Sequence, residues 1–199
     1  MKRRSIVFNI IILSLFSFPV YAGPPLNAVQ ANVNKVLEVL RDPALKADLA
    51  MAKEIKKEKL RLIYERMFDD VELSKRTLAK SWNRLNAAQR QEFVILFRQV
   101  LEKAYIDKIL DYTNEKIVFE RENMVSESLA EIPTKIVTSS KEIPITYRVI
   151  LKNGTWKVYD VVIENVSLVL NYRTQFNDIL AKNTPDQLFE ILRKKVKGQ

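Results

Sequence analysis

YDVVIENVSLVLNYRTQF, residues 159–176, is the stretch whose reading decides the fold. Its first half alternates as a strand does. Val161 and Ile163 fall on one side of the pleat, and Asp160, Val162 and Glu164 fall on the other. Its second half has helical spacing, with Leu168, Tyr172, Phe176 and Ile179 stacked along one side. Only Glu164-Asn165 lies between the two halves and can serve as a turn. A half-apolar strand therefore passes at once into a half-apolar helix.

Just upstream, Lys152-Asn153-Gly154-Thr155 is the clearest local signal in the chain. Asn-Gly accepts positive φ at both central positions, as a type I′ hairpin requires. It joins ITYRVIL to TWKVYDVVIE, so the sheet is antiparallel. Period-two patterning predicts strands over residues 117–122, 131–139, 143–152 and 155–164, a sheet of about four strands. Tyr147, Val149 and Leu151 share one face of the third strand. Strict alternation in the fourth puts Trp156, Val158 and Val162 on one face and Tyr159, Val161 and Ile163 on the other. An antiparallel strand that is apolar on both faces is covered on both. Two readings of the cover stand at this point: helices packed on both sides, or a cavity for an apolar ligand on one of them.

Helical patterns occupy the rest. One runs over residues 27–40, and a second restarts at Asp42-Pro43 with Asp as cap and Pro at the first helical position. A third spans residues 69–82 behind the cap Asp69. The longest opens on Asn86-Ala87-Ala88-Gln89, a capping-box variant, and carries the stripe Phe93, Leu96, Phe97, Val100, Leu101. After the sheet come the helix of the opening stretch and a last one starting at Thr184-Pro185-Asp186-Gln187. The predicted class is α+β: helices, then an antiparallel sheet, then helices, as one domain over residues 23–199.

Residues 1–22 read as a secretory signal. Lys2, Arg3 and Arg4 precede the apolar run of residues 6–18, and Val20-Tyr21-Ala22 offers small side chains for cleavage after Ala22. The chain has no cysteine, although export makes disulfides available. Export without disulfides, lipid anchor or further membrane span predicts a periplasmic protein. The full chain carries a formal net charge of +9. Its Lys and Arg residues are mixed with Asp and Glu rather than gathered, which does not suit nucleic acid and suits an anionic membrane surface better.

With no His and no Cys, Ser-His and Cys-His nucleophiles and the common transition-metal ligand sets are excluded. Carboxylate pairs remain. Asp69-Asp70 stands at a predicted helix start, where acids are expected for capping, Glu54 and Glu58 lie on a lysine-rich helix, and Asp160 and Glu164 could form a polar rim. No catalytic set and no metal site follows from these residues, and an enzyme is not expected.

YDVVIENVSLVLNYRTQF, WNRLNAAQRQEFVILFRQVLEKAY (residues 82–105) and KNGTWKVYDV (residues 152–161) resemble motifs of the MlaC toluene-tolerance family of periplasmic phospholipid-binding proteins. The order of signal peptide, helices, strands and helices fits as well. Asn165 stands where that family usually has Gly, and Ala79-Lys80-Ser81 replaces a segment that tends to hold Gly. A sister branch of the family is associated with hopanoid lipids.

The resemblance implies an NTF2-like cone with a deep apolar pocket between sheet and helices. Acyl chains enter it and the head group stays at the mouth. It implies a soluble carrier of phospholipid, with lipid as cargo and no cofactor, moving between an inner-membrane ABC transporter complex with its periplasmic lipid-binding subunit and an outer-membrane lipoprotein–porin complex. The consequence would be outer-membrane lipid asymmetry, and a monomer is expected. The candidate pocket wall is Phe93, Phe97, Leu101, Tyr105, Tyr147, Val149, Val161, Ile163, Val166, Leu170 and Tyr172. Arg148 and Arg173 are the candidate head-group rim. A hopanoid-binding sister protein and a non-carrier periplasmic interaction protein are the alternatives.

Overall fold

The computed structural model describes residues 23–45, 50–112 and 115–198, so the predicted signal lies outside the described residues. Helix α1 (Pro24–Arg41) begins on two prolines, which need no N–H partner at a helix start. The Leu26 N–H in its first turn donates to Glu122 Oε2 at 2.8 Å, fixing the helix to the sheet. A short 3-10 turn (Pro43–Leu45) follows, where Asp42 accepts from the Ala44 N–H. Helix α2 (Ala50–Met67) buries Ala52, Leu60, Ile63 and Met67. Ile55 on the same helix is exposed.

Helix α3 (Asp70–Leu78) is capped by Asp69, whose Oδ1 accepts from the Glu72 N–H at 2.8 Å. Ala79 then takes φ +49, and a 3-10 segment (Ala79–Arg84) leads to helix α4 (Ala87–Leu110). The Asn86–Gln89 capping box forms in both directions. Helices α5 (Leu168–Leu180) and α6 (Pro185–Lys197) close the chain, and Thr184 and Gln187 make a second full capping box.

The sheet has six strands rather than four: β1 (Lys116–Phe119), β2 (Asn123–Ser126), β3 (Leu129–Val137), β4 (Glu142–Lys152), β5 (Thr155–Ile163) and β6 (Val166–Ser167). It is curved, unclosed and antiparallel, in the order β1-β3-β4-β5-β6, with β2 also pairing β3. The single strand predicted over residues 117–122 breaks after Phe119. β2 starts only at Asn123, beyond that prediction, and pairs with a different part of β3 than β1 does. The sequence hid β2 because all four of its residues are exposed, leaving no alternation to read. β6 is only two residues long, too short to carry a pattern.

Both turns of the deciding region are tight. Asn153 (φ 49) and Gly154 (φ 73) join β4 to β5. Glu164 (φ 48) and Asn165 (φ 66) join β5 to β6 with the same pair of left-handed residues.

The predicted facing of β5 needs correction. Arg148 pairs with Asp160 but Val149 pairs with Val158, so Tyr159 is an extra residue in a β-bulge. The bulge shifts the alternation by one. Trp156, Val158, Val161 and Ile163 therefore share a face with Tyr147 and Val149, and the other face at this point carries Arg148 and Asp160. Apart from Val162, which shares the outer face with Asp160, the apolar residues Trp156, Val158, Val161 and Ile163 thus gather on the inner face, toward α1 and α2.

Two apolar clusters result. One joins α3, α4, α5 and α6 around Phe93, Phe97, Tyr172, Phe176 and Phe189. The other joins α1 and the end of α2 to the inner face of the sheet. Phe68 and Leu168 pack against both.

Candidate lipid site

The inner face is apolar along its whole length, but its burial is graded. Ala130, Ile132, Val149 and Val158 are each no more than 1% exposed beneath α1 and the end of α2. The register then aligns Phe119, Thr134, Ile145 and Ile163 as one row across β1, β3, β4 and β5. The three apolar members of that row are only half-buried. Thr134 in its middle is buried and donates its hydroxyl to the Ile145 carbonyl at 2.9 Å, so the row presents no unpaired polar group. Ile117 in the neighbouring row, and Tyr147 and Trp156 deeper in the face, are likewise half-buried. Helices cover one end of the face and leave the other partly open. The wall is thus apolar apart from the Thr134 and Tyr147 hydroxyls.

The opposite, outer face is polar and tied down. Asp160, 2% exposed, accepts from the Ser167 hydroxyl at 2.6 Å, the Val169 N–H at 3.0 Å and Arg148 Nη1 at 3.2 Å. Ser167 in turn caps α5 by accepting from the Leu170 N–H at 3.1 Å. This linkage explains why a strand can pass so abruptly into a helix: one carboxylate on β5 satisfies the backbone and the cap of the helix start. Asp160 is therefore a buried brace and not part of a polar rim with Glu164. Sequence reading missed the role, although a Ser directly before a helical pattern is a cap signal.

The other carboxylates considered for acid–base work are engaged as well. Asp69 pairs with Lys152 at 2.7 Å besides capping α3. Asp70 accepts from the Tyr64 hydroxyl at 2.5 Å, and burial holds its carboxyl above the ordinary value. Glu54 and Glu58 pair with Lys57 and Arg61 on exposed α2. Among the described residues, no three His, Cys, Asp or Glu side chains group as a metal site.

The predicted wall residues fall into three places. Tyr147, Val149, Val161 and Ile163 come together on the inner face. Phe93, Phe97, Leu101, Tyr105 and Tyr172 belong to the helical cluster, where Phe97 meets Tyr172 and Phe176 edge-on at centroid distances of 5.0 and 5.3 Å. Val166 and Leu170 flank the Glu164-Asn165 turn at the surface, 57% and 52% exposed. The predicted rim residues are held elsewhere. Arg148 lies on the outer face between Glu131 (3.0 Å) and Asp160. Arg173 donates from Nε and Nη2 to the Arg76 carbonyl, at 2.9 and 2.6 Å, locking α5 to α3. The residues missed on the inner face are Ile117, Phe119, Ile145 and Trp156. The first three were signalled by alternation, but only the register shows that Phe119 and Ile145 share a row with Ile163. A separate cavity of about 220 Å³ lies in the helical layer, with Leu78, Arg84, Leu85, Leu188 and Phe189 among its lining residues.

Among solved structures, the chain is similar to a phospholipid-binding protein from Ralstonia solanacearum, determined in complex with a phospholipid. The TM-score is 0.78 at 18% identity, covering 88% of this chain and 98% of that one, which establishes the shared fold. Among curated proteins it is 29% identical over 118 residues to the intermembrane phospholipid transport system binding protein MlaC of Haemophilus influenzae, covering 57% of this chain and 55% of the relative. It is 25% identical over 99 residues to the toluene tolerance protein ttg2D of Pseudomonas putida, covering 49% and 46%. The chain thus spans about half the length of the curated relatives it matches. The model of the family described as MlaC protein matches residues 30–194, which takes in every described element from within α1 almost to the end of α6, and the chain belongs to that family.

Proposed function

We propose that this protein is a phospholipid carrier that shields acyl chains against the inner face of its sheet. The observation that carries the reading is the half-open apolar row of Phe119, Ile145 and Ile163, continued inward by Tyr147 and Trp156. The relatives add support: one is a component of an intermembrane phospholipid transport system by name, and another of the same fold holds a phospholipid.

The magnitudes call for a carrier. At about 0.8 kcal/mol per methylene, two chains of roughly thirty methylenes in all cost about 24 kcal/mol to expose to water. Free diffusion of such a lipid between membranes is negligible. An apolar pocket exchanges one apolar environment for another, so hand-over at a membrane is close to neutral. The protein has no nucleotide-binding motif, so energy for directed transfer comes from a partner. On this reading it works in the periplasm, after removal of residues 1–22. It passes phospholipid between an inner-membrane ABC transporter complex and an outer-membrane lipoprotein–porin complex, and so maintains outer-membrane lipid asymmetry. Among the described residues no helix is long and apolar enough to cross a membrane.

Tyr147, Val161 and Ile163 are the proposed wall within the sheet, with Val149 packed behind them under α1. Phe93, Phe97, Leu101, Tyr105 and Tyr172 back the pocket from the helical side. The test is to purify the protein from a membrane-containing host, extract it with organic solvent and identify the extract by mass spectrometry. Stoichiometric diacyl phospholipid is expected. A hopanoid would assign it to the sister branch. An empty, folded protein that also takes nothing from vesicles would overturn the reading. Ile145→Asp, at a half-buried position, is expected to reduce loading at least tenfold with the fold intact, whereas Leu170→Asp, at the surface, leaves loading unchanged.

A further inference from the structure

One polar side chain on the inner face has no hydrogen-bond partner among the described residues. Tyr147 stands in the middle of β4, directly opposite Ile132 on β3 and Val161 on β5. Its ring packs on the apolar cluster, and burial pushes its phenol up to about 12, so the hydroxyl keeps its proton and is a donor at any physiological pH. Tyr105, Tyr159 and Tyr172 also lack a hydroxyl partner among the described residues but lie off the inner face, whereas several other hydroxyls are matched. Tyr64 donates to Asp70, Thr134 to the Ile145 carbonyl and Tyr112 to the Glu115 carbonyl. The Tyr147 hydroxyl has no hydrogen bond to a described residue. Yet no fully buried side-chain nitrogen or oxygen among them lacks a partner, so this oxygen is not completely sealed by the protein. A phenol in such surroundings carries a desolvation cost that Phe would not.

What complements it follows from its surroundings. The row nearer the opening is Ile145 and Ile163, and the direct neighbours are Ile132 and Val161, all apolar. The adjacent Arg148 points to the other face and is committed to Glu131 and Asp160. A phosphate at this depth would be an ion without a counter-charge, which an apolar face excludes. A polycyclic hydrocarbon brings no acceptor. A neutral acceptor between charged head and apolar chains is what remains, and in a glycerolipid that is the ester carbonyl.

We propose that the Tyr147 hydroxyl donates a hydrogen bond to an ester carbonyl of the bound lipid, making the pocket selective for ester-linked acyl lipids. This rests on the carrier reading and specifies its cargo.

The experiment offers the full-length, processed protein vesicles of diester phosphatidylethanolamine mixed with its diether analogue of equal chain length. The bound ratio is then read by mass spectrometry. The protein is expected to favour the diester about five- to tenfold, the range of one neutral hydrogen bond. Tyr147→Phe is expected to take both equally, with the diester preference lost. Its empty form is expected to melt no lower than the parent. Equal loading of both lipids by the parent, or a preference that survives in Tyr147→Phe, would overturn the proposal while leaving the carrier intact. A lowered melting temperature of the empty Phe variant would assign the hydroxyl to folding and overturn it too. Failure of the parent to load either lipid would remove the carrier reading itself.

Discussion

At the residue scale the decisive side chain is Asp160. It is nearly sealed from solvent, yet three donors reach it from β4, from Ser167 and from the first turn of α5. Replacing it with Ala strands the Ser167 hydroxyl, the Val169 N–H and part of the Arg148 guanidinium at once. Breaking a buried charged group of this kind typically costs about 3–5 kcal/mol. Asp160→Ala is expected to lose that much in urea unfolding, against about 1 kcal/mol for the cap variant Ser167→Ala. An Asp160→Ala loss no greater than that of Ser167→Ala would mean the carboxylate does not brace the helix start.

At the scale of elements, the turn between β5 and β6 shows what the chain tolerates. Glu164 and Asn165 both adopt positive φ, a geometry that favours Asn-Gly. The β4–β5 turn already has those residues at Asn153 and Gly154. A left-handed backbone costs a non-glycine residue roughly 1–2 kcal/mol, with Asn the least affected. The double change Glu164→Asn and Asn165→Gly is therefore expected to stabilise the protein by about 1 kcal/mol. The exposed Lys141–Glu164 pair at 3.8 Å contributes too little to offset that gain. Thermal melting tests it: an unchanged or lowered midpoint would show that this turn is not under strain.

Across the whole molecule, the two apolar clusters are joined through few residues. Phe68 and Leu168 touch both, and Tyr64 stacks on Phe68 with centroids 4.4 Å apart. On the outside, α2 is linked to α4 by Lys53–Asp107 (2.9 Å), Arg61–Glu102 (2.6 Å) and Glu65–Arg98 (3.0 Å), exposed pairs worth little each. The apolar coupling of the halves therefore rests on Phe68 and Leu168, beside the polar links of Asp160 to the start of α5 and of Lys152 to Asp69 and Glu72. Each half has its own reporter, Trp82 in the helical cluster and Trp156 on the inner face. In single-tryptophan variants the two unfolding midpoints are expected to coincide. Phe68→Ala, a half-buried ring removed at about 2–3 kcal/mol, is expected to separate them. Midpoints that stay coincident would show that the clusters are coupled elsewhere.

Local chemistry made much of the protein legible. The Asn86–Gln89 and Thr184–Gln187 boxes, the Asn153-Gly154 hairpin and the strand-to-helix passage each depend on residues within a few positions of one another, so the sequence by itself determined them. It likewise determined the class, helices around an antiparallel sheet, because periods of two and of three to four are local properties. Tertiary structure alone decided the rest. The bulge at Tyr159 exists only in the pairing of β5 with β4, and it moved Val158 onto the same face as Val161. β2 and β6 are strands because β3 and β5 offer them backbone partners, which their own residues do not announce. The candidate site was half legible for the same reason. An apolar residue looks alike in sequence whether it fills a helical core, as Phe97 does, or lines a half-open wall, as Ile145 does. Only the packing of distant elements determines how much of it remains uncovered.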